Sequence, residues 1–131
     1  MIDWRNVVAV ALGGAFGSSA RYLFGIVALR WYGPDLPWGT IVINIAGSLA
    51  IGFVGEAAVR HALGASPMLR LFLMVGVLGG FTTFSAFSLE ALGLITNRAP
   101  AVALGYILAS VVLSILACYV GLVVGRVVLP Q

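Results

Sequence analysis

The sequence predicts an all-α integral membrane protein built from four transmembrane helices. Of its 131 residues, 62% are hydrophobic and only 8% are charged, whereas soluble domains carry about 25% charged residues. Four apolar runs are each long enough to cross a bilayer as a helix, and short segments with Pro, Gly or charged residues separate them. The runs form one membrane domain over residues 1–131 and cover approximately 7–29, 38–59, 69–95 and 101–129.

Composition also argues against several classes of function. The net charge of +3 comes from seven arginines, no lysine and four acidic residues, a balance typical of loop charges at lipid headgroups. No basic run is interleaved with aromatic residues, so a nucleic-acid partner is not expected. The only cysteine, Cys118, permits no intrachain disulfide. The sequence has no nucleophile–base pair, paired carboxylates, phosphate loop or metal-ligand cluster, which argues against an enzyme.

The first span carries small residues on one helical face. Gly13, Gly17, Arg21 and Gly25 are four residues apart and therefore lie above one another. Such a face allows a second helix to approach closely. Arg21 is the one charge well inside a span, and it has several interpretations. It can snorkel to the interface, tie backbone carbonyls or attract anions in a wet vestibule, and the last two are favoured over direct ion binding.

The second span follows an aromatic-rich loop typical of the membrane interface. Asn44 and Ser48 lie on a stripe of small and polar residues in this span. An asparagine in a bilayer needs a partner, so Asn44 is expected to face protein or an ion, and an interhelical hydrogen bond is the more ordinary role. Glu56 is four residues before Arg60, which predicts an ion pair near the interface.

The third span, after a loop at 61–67, contains the most unusual stretch of the chain. Residues 79–88 combine two adjacent glycines, two adjacent threonines and further hydroxyls in the middle of an apolar run. Glycine and threonine weaken a helix, so the span is predicted to be broken at mid-membrane. Open backbone at that depth requires protein or a watery cavity, which suggests an ion site. A packing seam of small residues is the alternative.

The fourth span carries a polar stripe in which Tyr106, Ser110 and Ser114 recur every four residues. The serines either bond back to the preceding turn or line a pathway. The hydroxyls, the Asn44 amide and the aromatic ring edges of the spans together favour a small anion. Free carbonyls at the break would separately suit a small hard cation.

Arginine placement bears on orientation. Four spans put both chain ends on one side of the membrane. The shared side holds Arg5, Arg60, Arg70 and Arg126, and the opposite side holds Arg30 and Arg98. This shallow bias allows insertion in both orientations, and inverted copies can then pair around a symmetric pathway. A chain this small can barely surround a pathway by itself, so transport implies an oligomer.

Three motifs identify a family resemblance that covers essentially the whole chain. They are Gly13-Gly14-x-x-Gly17-x-x-x-Arg21-Tyr22, Trp38-Gly39-Thr40-x-x-x-Asn44-x-x-Gly47 and Gly79-Gly80-x-Thr82-Thr83-Phe84-Ser85-x-Phe87-Ser88. The chain resembles the Fluc fluoride channels, also called the CrcB family. The resemblance implies an antiparallel, dual-topology homodimer surrounded by lipid in a prokaryotic inner membrane. It further implies two fluoride pathways, a structural sodium ion at the dimer centre and passive fluoride efflux.

The resemblance also assigns residues. Sodium-binding backbone carbonyls match Gly79 and Thr82, and the arginine of the first helix matches Arg21. The fluoride pathway matches Asn44, Phe84, Ser85, Phe87, Tyr106, Ser110 and Ser114. One departure is Ala86, where many relatives have Thr or Ser. Its missing hydroxyl is expected to alter conduction if that position lines the polar track, and to leave fluoride selectivity intact.

Two other classes of protein fit parts of the pattern. A small multidrug-resistance-type, proton-coupled cation exporter also has four spans and dual topology. That class needs a carboxylate in the first span, where this chain has Arg21, and leaves only Glu56 and Glu90 as proton carriers. A membrane scaffold without transport is the second rival, with every hydroxyl serving helix packing.

Overall fold

The computed structural model describes residues 2–60, 66–97 and 99–130, and the part of the chain that it describes contains helices and no strands. Four helical spans are long and apolar enough to cross a membrane, which confirms the predicted fold class at that level. They are α1 (Trp4–Tyr32), α2 (Trp38–Val59), a composite third span (Pro67–Thr96) and α6 (Pro100–Val128). Most of the predicted 61–67 loop, residues 61–65, lies outside the described residues, and so does Arg98.

The third span is assembled from several helical segments. It begins with α3 (Pro67–Arg70), continues as a π-helix (Leu71–Leu78) and a short α4 (Gly79–Phe81), and ends with α5 (Phe84–Thr96). Thr82 (φ −75°, ψ 158°) and Thr83 (φ −150°, ψ 120°) have extended backbone between α4 and α5. Both are β-branched and tolerate extended geometry. The Thr83 hydroxyl accepts the Ala86 N–H at 3.2 Å and so caps α5.

Glycines set the crossing of α1 with the third span. A Cβ atom added to Gly13 would lie 2.9 Å from the Cα atom of Gly76, and one added to Gly80 would lie 2.8 Å from the Gly14 carbonyl oxygen. Only glycine permits backbones this close. The predicted small-residue face is therefore confirmed around Gly13 and Gly17, whereas Gly25 has open space beside it.

The crossing of α2 with α6 uses the same device. Gly52 faces the carbonyl of Cys118, and Gly121 faces the carbonyl of Leu49. Further along the pair, the buried Glu56 receives Arg60 Nε at 2.9 Å and Arg126 Nε at 3.3 Å. The Glu56–Arg60 pair predicted from the sequence is confirmed, and Arg126 extends it into a tie between the ends of the two helices.

Candidate functional site

A groove of about 330 Å³ lies among α2, the extended pair Thr82–Thr83, α5 and α6. It brings together most of the predicted site residues. Its polar lining consists of Asn44, Ser48, Thr82, Thr83, Ser110 and Ser114, and its aromatic lining of Phe84 and Phe87. The remaining lining is aliphatic, from Ile51, Val111 and Ile115. A short polar track thus runs through an apolar helix bundle.

Asn44 pairs with the backbone of Thr83 from both ends of its amide. The Thr83 N–H donates to Asn44 Oδ1 at 2.8 Å, and Asn44 Nδ2 donates to the Thr83 carbonyl at 2.9 Å. This interhelical bond is the ordinary role that the sequence indicated for Asn44. Because an amide nitrogen carries two hydrogens, one donor of Asn44 remains beyond this pairing.

The pairing changes the hydrogen bonding of α4. Helical geometry would give the Thr83 N–H to the carbonyl of Gly79, four residues earlier, but that N–H goes to Asn44. In the same way, the Ala86 N–H donates to the Thr83 hydroxyl and not to the Thr82 carbonyl. The carbonyls of Gly79 and Thr82 have therefore both lost their helical donors.

Arg21 reaches this interruption from α1. Its Nη1 atom lies 3.5 Å from the Thr82 carbonyl oxygen, a long hydrogen bond that agrees with a tie to backbone carbonyls. Arg21 does not line the groove. It borders a second cavity of about 390 Å³ with Glu90 and Thr40, and Thr83 lies between the two cavities.

The two phenylalanines of the motif have different surroundings. Phe87 is 8% exposed and packs between Phe84 and Tyr106, with ring centroids 5.4 Å away in each case. Phe84 is 77% exposed although it lines the groove. One side of the groove is therefore open at the surface of the chain.

Ser110 and Ser114 are not bonded back to their own helix. Both hydroxyl oxygens are buried, and neither has a partner in good hydrogen-bonding geometry among the described residues, although the Ser110 hydroxyl neighbours that of Tyr106. By contrast, the hydroxyls of Ser18 and Ser88 donate to the carbonyl four residues earlier, at 2.7 and 2.8 Å. A buried hydroxyl without a partner is costly. The two serines therefore add hydroxyls to the groove wall that are not bonded to their own helix, and their role in lining a pathway stays a prediction.

Other predicted residues lie outside the groove lining. The Tyr106 hydroxyl donates to Glu90 Oε2 at 2.7 Å, and the Thr40 hydroxyl donates to Glu90 Oε1 at 2.9 Å. Ser85 is exposed, with its hydroxyl 3.4 Å from that of Thr83. Ala86 is half-buried and does not contribute to the lining either.

The bonds of Glu90 were not foreseen from the sequence. Thr40 lies in the second motif, but spacing along separate helices does not show that it meets Glu90. With Glu56 held by two arginines, both membrane-embedded carboxylates have protein partners. Neither carboxylate resembles the unpaired proton carrier that the exporter alternative requires.

No group of three or more His, Cys, Asp or Glu side chains lies together in the described parts of the chain. A metal ion held by side chains is thus not indicated there. The Gly79 and Thr82 carbonyls fit a different kind of site. Oxygen ligands suit hard cations, and each of these carbonyls lacks its helical donor.

Fold and groove together define a multi-pass membrane protein with a polar track between its helices. Residues 8–122 match the family described as CrcB-like protein, Camphor Resistance (CrcB), and the chain belongs to that family. It is similar to the "Fluoride-specific ion channel FluC" of Agrobacterium fabrum, with 52% identity over 92% of this chain and 96% of that protein. A protein of the same name from Nitrobacter winogradskyi is 50% identical over 97% of this chain and 100% of its own length. The four spans and the family place the chain in a prokaryotic membrane.

Proposed function

We propose that the protein is a fluoride-selective ion channel, not an enzyme, which lets fluoride leave the cytoplasm passively and so lowers its concentration there. The observation that carries this proposal is the groove with two buried serine hydroxyls that have no protein partner. Donors without a partner suit an anion. The names of the relatives, fluoride-specific ion channels, support fluoride as that anion.

The groove residues would replace the hydration shell of fluoride in steps. The Ser110 and Ser114 hydroxyls each offer a donor, and Asn44 offers its remaining amide hydrogen. Phe84 and Phe87 add ring edges, which carry positive partial charge. The other described residues of the lining are uncharged, so none of them would repel the anion.

Two antiparallel copies would complete the pathways. The exposure of Phe84 leaves each groove open on one side, and a second, inverted subunit would cover it. Two-fold pairing then gives two fluoride pathways per homodimer, each lined by both subunits. The interruption at Thr82–Thr83 would lie at mid-membrane, where open backbone requires a protein or ion partner. The remaining apolar outer surface would face lipid.

A sodium ion would serve as a structural cofactor at the dimer centre. The carbonyls of Gly79 and Thr82 are the ligands that the chain offers. A carbonyl has two lone pairs, so the long contact of Arg21 with Thr82 leaves capacity for a cation. Bound sodium would supply positive charge that neutralises the facing carbonyl dipoles of the two subunits.

Passive efflux needs no coupling ion. Hydrogen fluoride enters a cell as a neutral acid and dissociates inside, and the anion then leaves through the channel. An interior-negative potential assists exit by about 2.3 kcal/mol per elementary charge per 100 mV.

Liposome efflux tests the proposal. The purified protein is reconstituted with fluoride and chloride inside, a potassium ionophore removes the membrane potential, and selective electrodes record both anions. Rapid fluoride loss with chloride retained is expected. Phe84→Ile should abolish that loss in a folded dimer, whereas Ser88→Ala, whose hydroxyl bonds to its own helix, should leave it unchanged. Retention of fluoride by the folded wild-type protein would contradict the channel. Full flux from both Phe84→Ile and Asn44→Ala would contradict the residue assignment.

A further inference from the structure

We propose that Asn44 keeps the Gly79 carbonyl free for a cation by taking the Thr83 N–H that would otherwise occupy it. This inference rests on the sodium site of the proposed function. It adds a positioning residue that is not itself a ligand, and it gives Asn44 a second task besides its place on the groove wall.

The Thr83 N–H has two alternative acceptors, one in this structure and one in a continued helix. One is the Gly79 carbonyl, to which continued α-helix would direct it, and the other is Asn44 Oδ1, which accepts it at 2.8 Å. A backbone N–H inside a bilayer cannot remain unpaired without a large cost in free energy. If Asn44 loses its acceptor, the N–H therefore returns to Gly79. Thr82 already has a φ of −75°, close to that of a helix, so rotation of its ψ from 158° into the helical range would extend α4 by one residue and direct the N–H to Gly79.

The two-ended pairing fixes which amide atom faces the backbone. Nδ2 donates to the Thr83 carbonyl at 2.9 Å while Oδ1 accepts from the same residue, so a flipped amide would lose both bonds. Packing brings Asn44 and Thr83 close enough to pair. Gly47 lies one turn beyond Asn44, and a Cβ atom there would overlap the Thr82 methyl group. The bare backbone of α2 thus lets the extended pair approach Asn44.

The experiment compares sodium binding in purified full-length protein by equilibrium dialysis of radioactive sodium, with N-methylglucamine as the replacement cation. Asn44→Leu removes acceptor and donor but keeps the number and branching of side-chain heavy atoms, and Asn44→Ala removes them with a cavity. Asn44→Asp restores only the acceptor. Ser48→Ala is the matched control, since Ser48 lines the same groove one turn along α2. We expect sodium binding at least tenfold weaker in the Leu and Ala variants, and unchanged binding in the Ser48 control.

A second measurement isolates the hydrogen bond from the sodium. The carbonyl carbon resonance of Gly79 is recorded without sodium, by NMR of carbon-labelled protein. It should move downfield in Asn44→Leu, because the carbonyl gains the Thr83 N–H, and stay in place in Asn44→Asp. This readout also shows whether any sodium retained by Asn44→Asp reflects a free carbonyl or attraction to the new carboxylate.

The outcomes separate the two proposals. Equal sodium binding by wild type and Asn44→Leu, or an unmoved Gly79 resonance, would overturn the role of Asn44 and leave the sodium site standing. A wild-type protein that conducts fluoride but binds no sodium would overturn the sodium site, and the inference with it. Weaker binding together with the downfield shift supports both.

Discussion

Helices α2 and α6 lie side by side along two stretches that differ sharply. Around Gly52 and Gly121 their backbones touch, and each glycine faces a carbonyl of the other helix. Around Asn44 and Ser110 the same helices border a groove of about 330 Å³. Both stretches are made of small residues, yet one is closed by backbone contact and the other leaves buried hydroxyls without partners.

The difference shows two uses of small side chains in a membrane helix. Glycine removes the side chain altogether, so van der Waals contact between backbones replaces the missing hydrophobic force. Serine keeps a donor that must be used somewhere. The Ser18 and Ser88 hydroxyls bond to their own helices, whereas those of Ser110 and Ser114 do not and are proposed to bind fluoride. Packing and conduction are therefore separable properties that substitutions should affect independently.

The largest expected effect is on the closed stretch. Gly121→Ala would place a Cβ atom against the Leu49 carbonyl, so α2 and α6 would have to separate. We expect a stability loss at the upper end of the about 1–3 kcal/mol typical of overpacking. The measurement is thermal unfolding followed by size-exclusion chromatography in detergent.

Gly105→Ala is the control for that substitution. Gly105 lies in the same helix, and an added Cβ atom there meets nothing within 4 Å. The alanine should stabilise α6 by about 0.5–1 kcal/mol through backbone entropy alone. Equal stability of the two variants would show that the crossing is not limited by the glycine.

Substitutions in the stretch around Asn44 and Ser110 should affect fluoride efflux and not stability. Ser110→Ala and Ser114→Ala remove hydroxyls that have no protein partner, so neither should destabilise the fold. Each should slow fluoride efflux, by roughly 10- to 100-fold if a hydrogen bond to a charged group contributes about 1.5–3 kcal/mol. Efflux from liposomes and thermal unfolding are measured on the same preparations.

Ser88→Ala is the control for these two serine substitutions. That variant deletes a hydroxyl bonded to the Phe84 carbonyl, outside the groove lining, and should leave efflux unchanged. A loss of stability without a loss of efflux in Ser110→Ala would identify the serines as packing residues, as the scaffold interpretation holds.

Sequence reasoning identified the spans because hydropathy and length suffice for them. It also grouped Asn44, Phe84, Phe87, Ser110 and Ser114, because the family resemblance implies one pathway for all five, and all five line the groove. It did not predict the π-helix at Leu71–Leu78, because hydropathy and length do not distinguish a π-helix from an α-helix. Nor did it predict the hydrogen bond from the Tyr106 hydroxyl to Glu90, because the position of Glu90 relative to α6 depends on tertiary packing.

The smallest effect is expected for a substitution of Glu56, which lies at the ends of α2 and α6 beyond the glycine crossing. Glu56→Gln removes the charge that receives Arg60 and Arg126, and the amide retains only one acceptor oxygen for two donors. The loss of thermal stability should be smaller than that of Gly121→Ala. It should be smaller again at high salt, because salt screens the exposed parts of an ion-pair network and so weakens it in the wild-type protein too. Fluoride efflux should not change, since Glu56 is not part of the groove lining. Loss of proton-coupled cation transport in Glu56→Gln, with unchanged stability, would instead make Glu56 a proton carrier, and the exporter class would then replace the channel.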